Sequence, residues 1–285
     1  MFINTISASK SDVIDQCLWK YHLKYNLRIP GFGSSNEDAL NFGSFMHKIF
    51  ELGYRENDPK HLMKLAEAER GTYKIPFGMN DRLKVCIENF VMWNSKIGET
   101  ISTEGMFEVM LDKEHDIKFN GVIDRVVKGT NGGYLVIDYK TSKREKSKKD
   151  LMDDKQMMGY AYAIHEKYGA EYKDIWCAHF YPVTRNFVSV NFSKIQIWNW
   201  KRKEIDKVWR IRKKTKEEFY PQKNIFCSNC EFQQACENFH SPEVVKCKIE
   251  EQLELKKQKD AAKKAAAELL TEKTAAHDDK KGNKL

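Results

Sequence analysis

The sequence predicts an α/β fold in which helices flank one central, mainly antiparallel sheet. Apolar residues recur at near-helical spacing between residues 37 and 56. β-branched and aromatic residues dominate residues 106–127 and 134–141, which is typical of strands, and a Gly-Thr-Asn-Gly-Gly turn at 129–133 separates the last two. Neither a Gly-x-Gly-x-x-Gly motif nor a Walker-type phosphate loop is present, which argues against a doubly wound nucleotide-binding fold.

The sequence predicts helices throughout the first part of the chain. Helices are predicted at residues 11–27 and 37–56, and a Pro/Gly/Ser-rich loop separates them. Two further helices are predicted at about 58–70 and 80–97 because their apolar residues follow the same period. The predicted strands come next and end the helical region.

The second part of the chain returns to helices after the hairpin. A helix is predicted at about 151–168, a strand pair at about 175–192 and a long amphipathic helix at about 194–219. The end of the chain is rich in Ala, Lys and Glu, which suggests a solvated helix that frays. The predicted limits are 1–250 for a folded domain and 251–285 for a basic, Ala/Lys-rich tail.

Positive charge is concentrated in a few segments. The chain has 49 Lys and Arg against 41 Asp and Glu, a formal net charge of +8. Basic clusters suit a polyanion such as nucleic acid, although any single run taken alone is more often a solvated face. The cluster that follows the strand at 134–141 is the best candidate for phosphate contact. Its members are Lys143, Arg144, Lys146, Lys148 and Lys149.

The sequence argues against membrane insertion and secretion. Its longest stretches without a charged residue are ten residues long, at 156–165 and 175–184, whereas a spanning helix needs about 20 apolar residues. The first residues show no basic region ahead of an apolar core. We therefore expect an intracellular protein, in which the seven cysteines are more often thiols or metal ligands than disulfides.

Two aspartates and a lysine converge in the predicted hairpin. If the turn is centred near Asn131, Asp124 and Asp138 are cross-strand neighbours, and Lys140 shares the face of Asp138. Facing carboxylates favour a hard divalent cation such as Mg²⁺ or Mn²⁺. The alternative is two surface ion pairs, Asp124 with Arg125 and Asp138 with Lys140. Spacing alone does not separate the two interpretations.

Four further motifs accompany the aspartates. They are Gly-x-x-x-His-x-x-x-Glu at residues 43–51, Gln-x-x-x-Tyr at 156–160, Ser-Ala-Ser-Lys from residue 7 leading to Cys17 and an aromatic run, and C-x2-C-x5-C at 227–236. Together with Asp124 and Asp138-Tyr139-Lys140, they resemble the RecB-like branch of the PD-(D/E)xK nuclease superfamily over residues 7 to about 240. The groups concerned are iron–sulfur exonucleases associated with CRISPR systems, nuclease domains of helicase–nuclease recombination subunits, and exonuclease V. This chain has Ile123 where Pro is commoner.

The resemblance implies a restriction-endonuclease-like core, with a mixed central sheet flanked by helices and an N- and C-terminal iron–sulfur subdomain. The metal ligands that it implies for Mg²⁺ or Mn²⁺ are His47, Asp124, Asp138 and the carbonyl group of Tyr139. The catalytic residues that it implies are Asp124, Asp138, Lys140, Gln156 and Tyr160. The residues alone also allow purely structural roles. A lone histidine such as His47 is more often a hydrogen-bonded core residue, and Tyr160 could be a core aromatic.

The cysteine motif supplies three thiolates, from Cys227, Cys230 and Cys236. The resemblance offers Cys17 as the fourth ligand, and Cys247 is its rival. Four thiolates suit either zinc or an iron–sulfur cluster and do not by themselves separate the two. The resemblance favours a [4Fe-4S] cluster, with zinc as the weaker alternative.

These observations predict a metal-dependent DNA exonuclease that hydrolyses phosphodiester bonds of single-stranded DNA or DNA ends. We expect a role in recombination, repair or replication, in the cytoplasm of a bacterium or of a phage-infected host. Since the chain has no helicase motif, a helicase or recombination protein is a candidate partner. Two alternatives remain open: a non-catalytic or partner-activated DNA-binding subunit, and a zinc-stabilised nucleic-acid adaptor. The oligomeric state is not predicted.

Overall fold

The computed structural model describes residues 3–32, 37–129, 131–215 and 218–282, with side chains up to residue 262 and at Lys264. The described strands are β1 (Thr5–Ile6), β2 (Glu99–Asp112), β3 (Ile117–Lys128), β4 (Tyr134–Tyr139), β5 (Ile175–Tyr181) and β6 (Asn186–Val190). The described α-helices are α1 (Ala8–Gln16), α2 (Leu18–Tyr21), α3 (Glu37–Leu52), α4 (Pro59–Glu69), α5 (Asn80–Asn94), α6 (Lys148–Met152), α7 (Lys155–Tyr168), α8 (Lys194–Arg212) and α9 (Pro242–Gly282).

The six strands form one mixed sheet. Its order is β1-β3-β4-β5-β6, and β2 pairs with the other edge of β3. The pairs β2–β3, β3–β4 and β5–β6 are antiparallel, whereas β1–β3 and β4–β5 are parallel. The prediction of an α/β fold with a mixed central sheet flanked by helices is therefore confirmed.

The chain divides into two compact units. The first comprises Met1–Ser11 and Ser35–Lys214 and holds the sheet. The second comprises Asp12–Ser34 and Thr215–Leu285. The limits 1–250 and 251–285, which rest on composition, stay a prediction.

Helix α3 has one buried face and one open face. Phe42, Phe45 and Ile49 are fully buried in the core of the first unit, where Phe50 also stacks on Phe90 of α5 with ring centroids 4.3 Å apart. Burial of each such side chain contributes about 1.5–3 kcal/mol to the free energy of unfolding. This packing fixes the rotation of α3 and turns its opposite face toward a cleft.

Helix α7 lies close to the sheet because Gly159 faces β3. A Cβ atom at this position would lie 2.3 Å from Cε1 of Phe119. The helix begins at the N-cap Asp154, whose side chain accepts hydrogen bonds from the backbone N–H groups of Gln156 and Met157. Cap and glycine together set the depth and direction of α7, and both act on the residues of the Gln-x-x-x-Tyr motif.

The structure differs from the predicted elements at several ends. The helix predicted at 11–27 is interrupted at Cys17, which has an extended backbone, and the final helix of the first unit ends at Arg212 instead of 219. Strand β2 begins at Glu99, ahead of the predicted residue 106, because its first half is rich in Thr, Ser and Glu and lacks an apolar period. Within the described residues, no helix combines the length and apolarity that crossing a bilayer requires.

Candidate active site

Four polar side chains lie in one row across the sheet. The pairs Thr103–Arg125 and Gly105–Ile123 place Glu104 of β2 opposite Asp124 of β3. One residue along from the pair Arg125–Ile137, Asp124 of β3 lies opposite Asp138 of β4. Asp138 in turn pairs with His179 of β5. Neighbouring strands thus carry Glu104, Asp124, Asp138 and His179 side by side. Asp124, Asp138 and His179 are buried.

The structure brings Asp124 and Asp138 together as the hairpin register predicts. Asp124 Oδ2 accepts a hydrogen bond of 2.7 Å from the backbone N–H of Tyr139. The alternative pair of Asp124 with Arg125 is not what the structure shows, because Arg125 donates to Asn94 Oδ1 and Thr100 Oγ1. Lys140 does approach Asp138, with Nζ 2.5 Å from Oδ2, but Asp138 is only 2% exposed, so this is not a surface ion pair.

His47 of α3 contacts this row from above the sheet. Its Nε2 donates to the carbonyl oxygen of Tyr139 at 2.9 Å, and its Nδ1 lies 3.4 Å from Asp124 Oδ2 and 3.7 Å from Glu104 Oε1. Both ring nitrogens therefore face acceptors, which suits a protonated imidazole. Of the residues predicted to surround a metal with Tyr139, His47 contacts Asp124 directly, and Asp138 lies beside Asp124 on the neighbouring strand.

The charges of the row shift the pKa values of its members. Burial lowers the pKa of His47, but Asp124, Glu104 and Asp138 outweigh this effect and raise the pKa to about 10. Burial and the neighbouring Asp138 raise the pKa of Asp124 to about 6. Burial opposes protonation of Lys140, yet Asp138 raises its pKa. The row is thus an anionic centre that attracts positive charge.

Glu104 is the functional residue that sequence reasoning missed. Its backbone is left-handed, with φ of 45°, which is rare for a residue other than glycine and is common at functional sites. Its Oε1 is buried and has no hydrogen-bond partner. A sequence signal existed, since Glu104 and Asp124 are equally far from Glu114 in the turn between β2 and β3. It goes unnoticed because the predicted strand starts at residue 106, two residues after Glu104.

The residues present fit a divalent cation. Ligand atoms of His47, Glu104 and Asp124 all lie within 4.8 Å of one another. Carboxylate oxygens and an imidazole nitrogen are suitable ligands for Mn²⁺, and carboxylates for Mg²⁺. The buried Oε1 of Glu104 accepts no hydrogen bond and lies 3.7 Å from His47 Nδ1, so it is available as a ligand.

A cleft of about 660 Å³ opens onto this centre. The open face of α3 forms one wall and residues 139–142 form another. Leu40, at the mouth, is 63% exposed. Glu51 also lines the cleft and pairs with Lys48 at 2.9 Å.

Gln156 and Tyr160 are brought together, one turn apart on α7. Gln156 Nε2 donates to Tyr160 Oη at 2.6 Å, and Tyr160 Oη donates to the carbonyl oxygen of Val122 on β3, also at 2.6 Å. Tyr160 is 2% exposed and packs near Phe107. Its hydroxyl group is therefore engaged within the protein, as in the core-aromatic alternative, while Gln156 is only partly buried.

The basic cluster after β4 is only partly free. Lys143, Arg144, Lys148 and Lys149 are exposed. Lys146 differs, because its Nζ lies 2.5 Å from Oδ2 of the α7 N-cap Asp154. Four of the five predicted phosphate contacts are thus available on the surface of the first unit.

The four predicted cluster cysteines line one pocket in the second unit. They are Cys17, Cys227, Cys230 and Cys236. Aromatic residues, including Trp19 and Phe232, line the same pocket, and Trp19 Nε1 donates to the carbonyl oxygen of Ala235. The rival Cys247 is exposed on α9, where its thiol contacts Glu251.

A family model described as the PD-(D/E)XK nuclease superfamily matches residues 5–237, which is most of the chain. The chain belongs to the PD-(D/E)XK nuclease superfamily. The mixed sheet and its flanking helices are consistent with the core of that superfamily. The assignment of Asp124, Asp138 and Lys140 to the superfamily motif stays a prediction from the sequence.

Two named relatives match a little under half of the chain. An ATP-dependent helicase/deoxyribonuclease subunit of Streptococcus mutans is 27% identical over 142 residues, covering 43% of this chain and 13% of the relative. The corresponding protein of Streptococcus uberis is 26% identical over 157 residues, covering 48% and 14%. The chain thus spans about an eighth of the length of these relatives.

One solved structure resembles the chain over most of its length. It is a Eubacterium rectale protein named only provisionally as an exonuclease, with 12% identity and a TM-score of 0.49. The match covers 83% of this chain and 88% of that one. Similarity at this level supports no conclusion about function.

Proposed function

We propose that the protein is a divalent-metal-dependent deoxyribonuclease that adds water across phosphodiester bonds. The observation that carries this proposal is the row Glu104–Asp124–Asp138, closed by His47 and flanked by Lys140. Membership of the nuclease superfamily supports the reaction, and the names of the streptococcal relatives support DNA as the substrate. Action from ends, on single strands, and a helicase partner are parts of the same proposal.

Each residue has a distinct role in this proposal. His47, Glu104, Asp124, Asp138 and the Tyr139 carbonyl group would hold Mg²⁺ or Mn²⁺. A bound ion would supply charge neutralisation and a lowered pKa for the attacking water. Lys140, a compact positive charge beside Asp138, would orient that water or stabilise charge developing on the phosphate oxygens. Exposed basic residues after β4 would hold the DNA backbone through its phosphates.

The test compares cleavage by four variants. Asp138→Ala should lower the cleavage rate by about 1,000-fold or more, since several kcal/mol of charge stabilisation is lost. Lys140→Ala should lower it by about 100- to 1,000-fold. Matched controls are Asp206→Ala and Lys203→Ala, which remove exposed side chains of α8 and should leave the rate unchanged. Wild-type rates in both site variants would sink the proposal.

The substrates separate the finer points. The assay uses end-labelled linear DNA and circular DNA, single- and double-stranded, with Mn²⁺, Mg²⁺ or EDTA. An exonuclease acting on single strands should degrade linear single-stranded DNA and leave circles intact. Cutting of circles would identify an endonuclease, and salt-dependent binding without any cutting would indicate a DNA-binding protein that does not catalyse.

The second part of the proposal is that Cys17, Cys227, Cys230 and Cys236 hold a [4Fe-4S] cluster. The four cysteines line one pocket of the second unit and can supply the four thiolates that either zinc or a four-iron cluster takes. The resemblance of the C-x2-C-x5-C motif to that of iron–sulfur nucleases favours the four-iron cluster.

Metal analysis tests the cluster. Protein purified without oxygen should contain about four iron and four sulfide per chain and little zinc. Cys17→Ser should lose iron, whereas Cys247→Ser, a matched control on α9, should retain it. One zinc per chain and no sulfide would refute the cluster and favour the zinc alternative.

A further inference from the structure

His179 lies at the end of the carboxylate row, on the strand beyond Asp138. It is 1% exposed, and its Nε2 lies 3.7 Å from Asp138 Oδ2. This buried Nε2 has no hydrogen-bond partner. No motif in the sequence draws attention to His179, and the roles proposed above do not use it. A buried polar atom without a partner calls for an explanation.

The hydrogen bond at Nδ1 of His179 determines which of its two ring nitrogens carries the hydrogen. The backbone N–H of Lys146 donates to Tyr181 Oη at 2.8 Å. That oxygen therefore accepts one bond and can donate its own proton to Nδ1 of His179, 3.1 Å away. A neutral imidazole that accepts at Nδ1 carries its hydrogen at Nε2. The N–H of His179 is thus directed at Asp138.

The same contacts continue from His179 to the start of α7. Lys146, whose backbone holds Tyr181, forms an ion pair with Asp154 through its side chain, with Nζ and Oδ2 2.5 Å apart. Asp154 in turn caps α7 and so positions Gln156. A continuous series of polar contacts thus connects Asp138 with α7 without reaching the cleft.

We propose that His179 is a positioning residue that orients the Asp138 carboxylate, with Tyr181 selecting its tautomer. This inference rests on the proposed function, in which Asp138 holds a divalent ion. A carboxylate next to a buried N–H has fewer orientations to lose when it binds a cation. Groups that hold ligands in this way commonly change metal affinity or activity by 10- to 100-fold when replaced.

The test uses two amides that differ in reach. In His179→Gln the amide nitrogen takes the place of Nε2 and keeps a donor toward Asp138, whereas in His179→Asn it takes the place of Nδ1 and leaves Asp138 without a donor. Mn²⁺ binding to metal-depleted protein is measured by titration calorimetry. Thermal unfolding is followed in parallel, so that loss of packing is separated from loss of orientation.

The expected result is a 10- to 100-fold weaker Mn²⁺ affinity for His179→Asn and a change of less than about 3-fold for His179→Gln, with similar unfolding temperatures. Tyr181→Phe, which removes only the hydroxyl that selects the tautomer, should weaken binding less than His179→Asn. Wild-type affinity in His179→Asn would overturn the proposal. Equal losses in both amide variants with lowered unfolding temperatures would also overturn it, because they indicate packing alone.

Failure of the proposed function has a different signature. If wild-type protein binds Mn²⁺ but cuts no DNA, and His179→Asn still weakens binding, the positioning role stands and the nuclease assignment falls. If wild-type protein binds no Mn²⁺, while Asp138→Asn behaves identically, both fall together.

Discussion

Among single residues, Glu104 is the one whose replacement tests the metal site most directly. Its backbone is left-handed, and its buried Oε1 accepts no hydrogen bond and lies 3.7 Å from His47 Nδ1. Glu104→Gln removes the charge while keeping the size of the side chain. We expect Mn²⁺ affinity to fall at least about 10-fold, as measured by calorimetry.

A matched variant makes the Glu104 prediction specific. Glu108 lies four residues further along β2, and its charge is paired with Lys118 at 2.9 Å. Glu108→Gln should leave Mn²⁺ affinity unchanged. Equal effects of the two substitutions would mean that Glu104 acts only through the net charge of the surface.

We expect metal binding to depend on pH because His47 must lose a proton to act as a ligand. The neighbouring carboxylates raise its pKa to about 10 against the opposing effect of burial, and a metal ligand must be deprotonated. Below that pH, each bound ion releases a proton from His47. Mn²⁺ affinity should therefore rise by about 10-fold per pH unit between pH 7 and 9, where one proton is exchanged per ion.

Calorimetry in buffers of different ionisation enthalpy checks the proton count. His47→Asn should bind Mn²⁺ more weakly and release close to one proton fewer than wild type at pH 8. Unchanged proton release in His47→Asn would show that another group supplies the proton.

At the scale of elements, two helix caps separate stability from activity. Asp154 caps α7 and holds Lys146, whereas Ser193 caps α8, away from the cleft, through a capping box with Gln196. Either cap replaced by Ala should lower the free energy of unfolding by about 1 kcal/mol. We expect Asp154→Ala also to reduce cleavage, since Gln156 and Lys146 lose their support, and Ser193→Ala to leave it unchanged. Equal cleavage by both variants would contradict this.

Element types follow from local patterns more readily than element ends. The strand hairpin and α7 could be predicted because their periods and turn residues are local. The break at Cys17 could not, because residues 11–27 have helical composition throughout. Strand β2 gains its first half from pairing with β3, and such pairing depends on residues distant in sequence.

For the molecule as a whole, we expect a cluster bound by the cysteines to link chain segments that are distant in sequence. Cys17 and Cys227 are far apart in sequence yet line one pocket of the second unit. A cluster bound there closes a very long loop, so its binding energy stabilises that unit. Cys17→Ser should lower the protection of residues 12–32 and 218–240 from hydrogen exchange, and leave the sheet of the first unit protected.

Cys247→Ser is the control for this experiment because its thiol is exposed on α9. It should retain wild-type exchange throughout. Loss of protection in the sheet of Cys17→Ser would show that the cysteines stabilise the whole chain and not the second unit. Unchanged protection everywhere would argue against any bound cluster.

From the sequence alone one can predict the class of fold, the hairpin that brings Asp124 and Asp138 together, and the motifs that resemble a nuclease branch. These depend on local period, turn chemistry and spacing, all of which can be read along one segment. The folded structure was needed to show that Glu104 joins the row, that Tyr160 uses its hydroxyl inside the protein, and that His179 lies 3.7 Å from Asp138. Each of these depends on which strands become neighbours, and strand order is not written in any single segment.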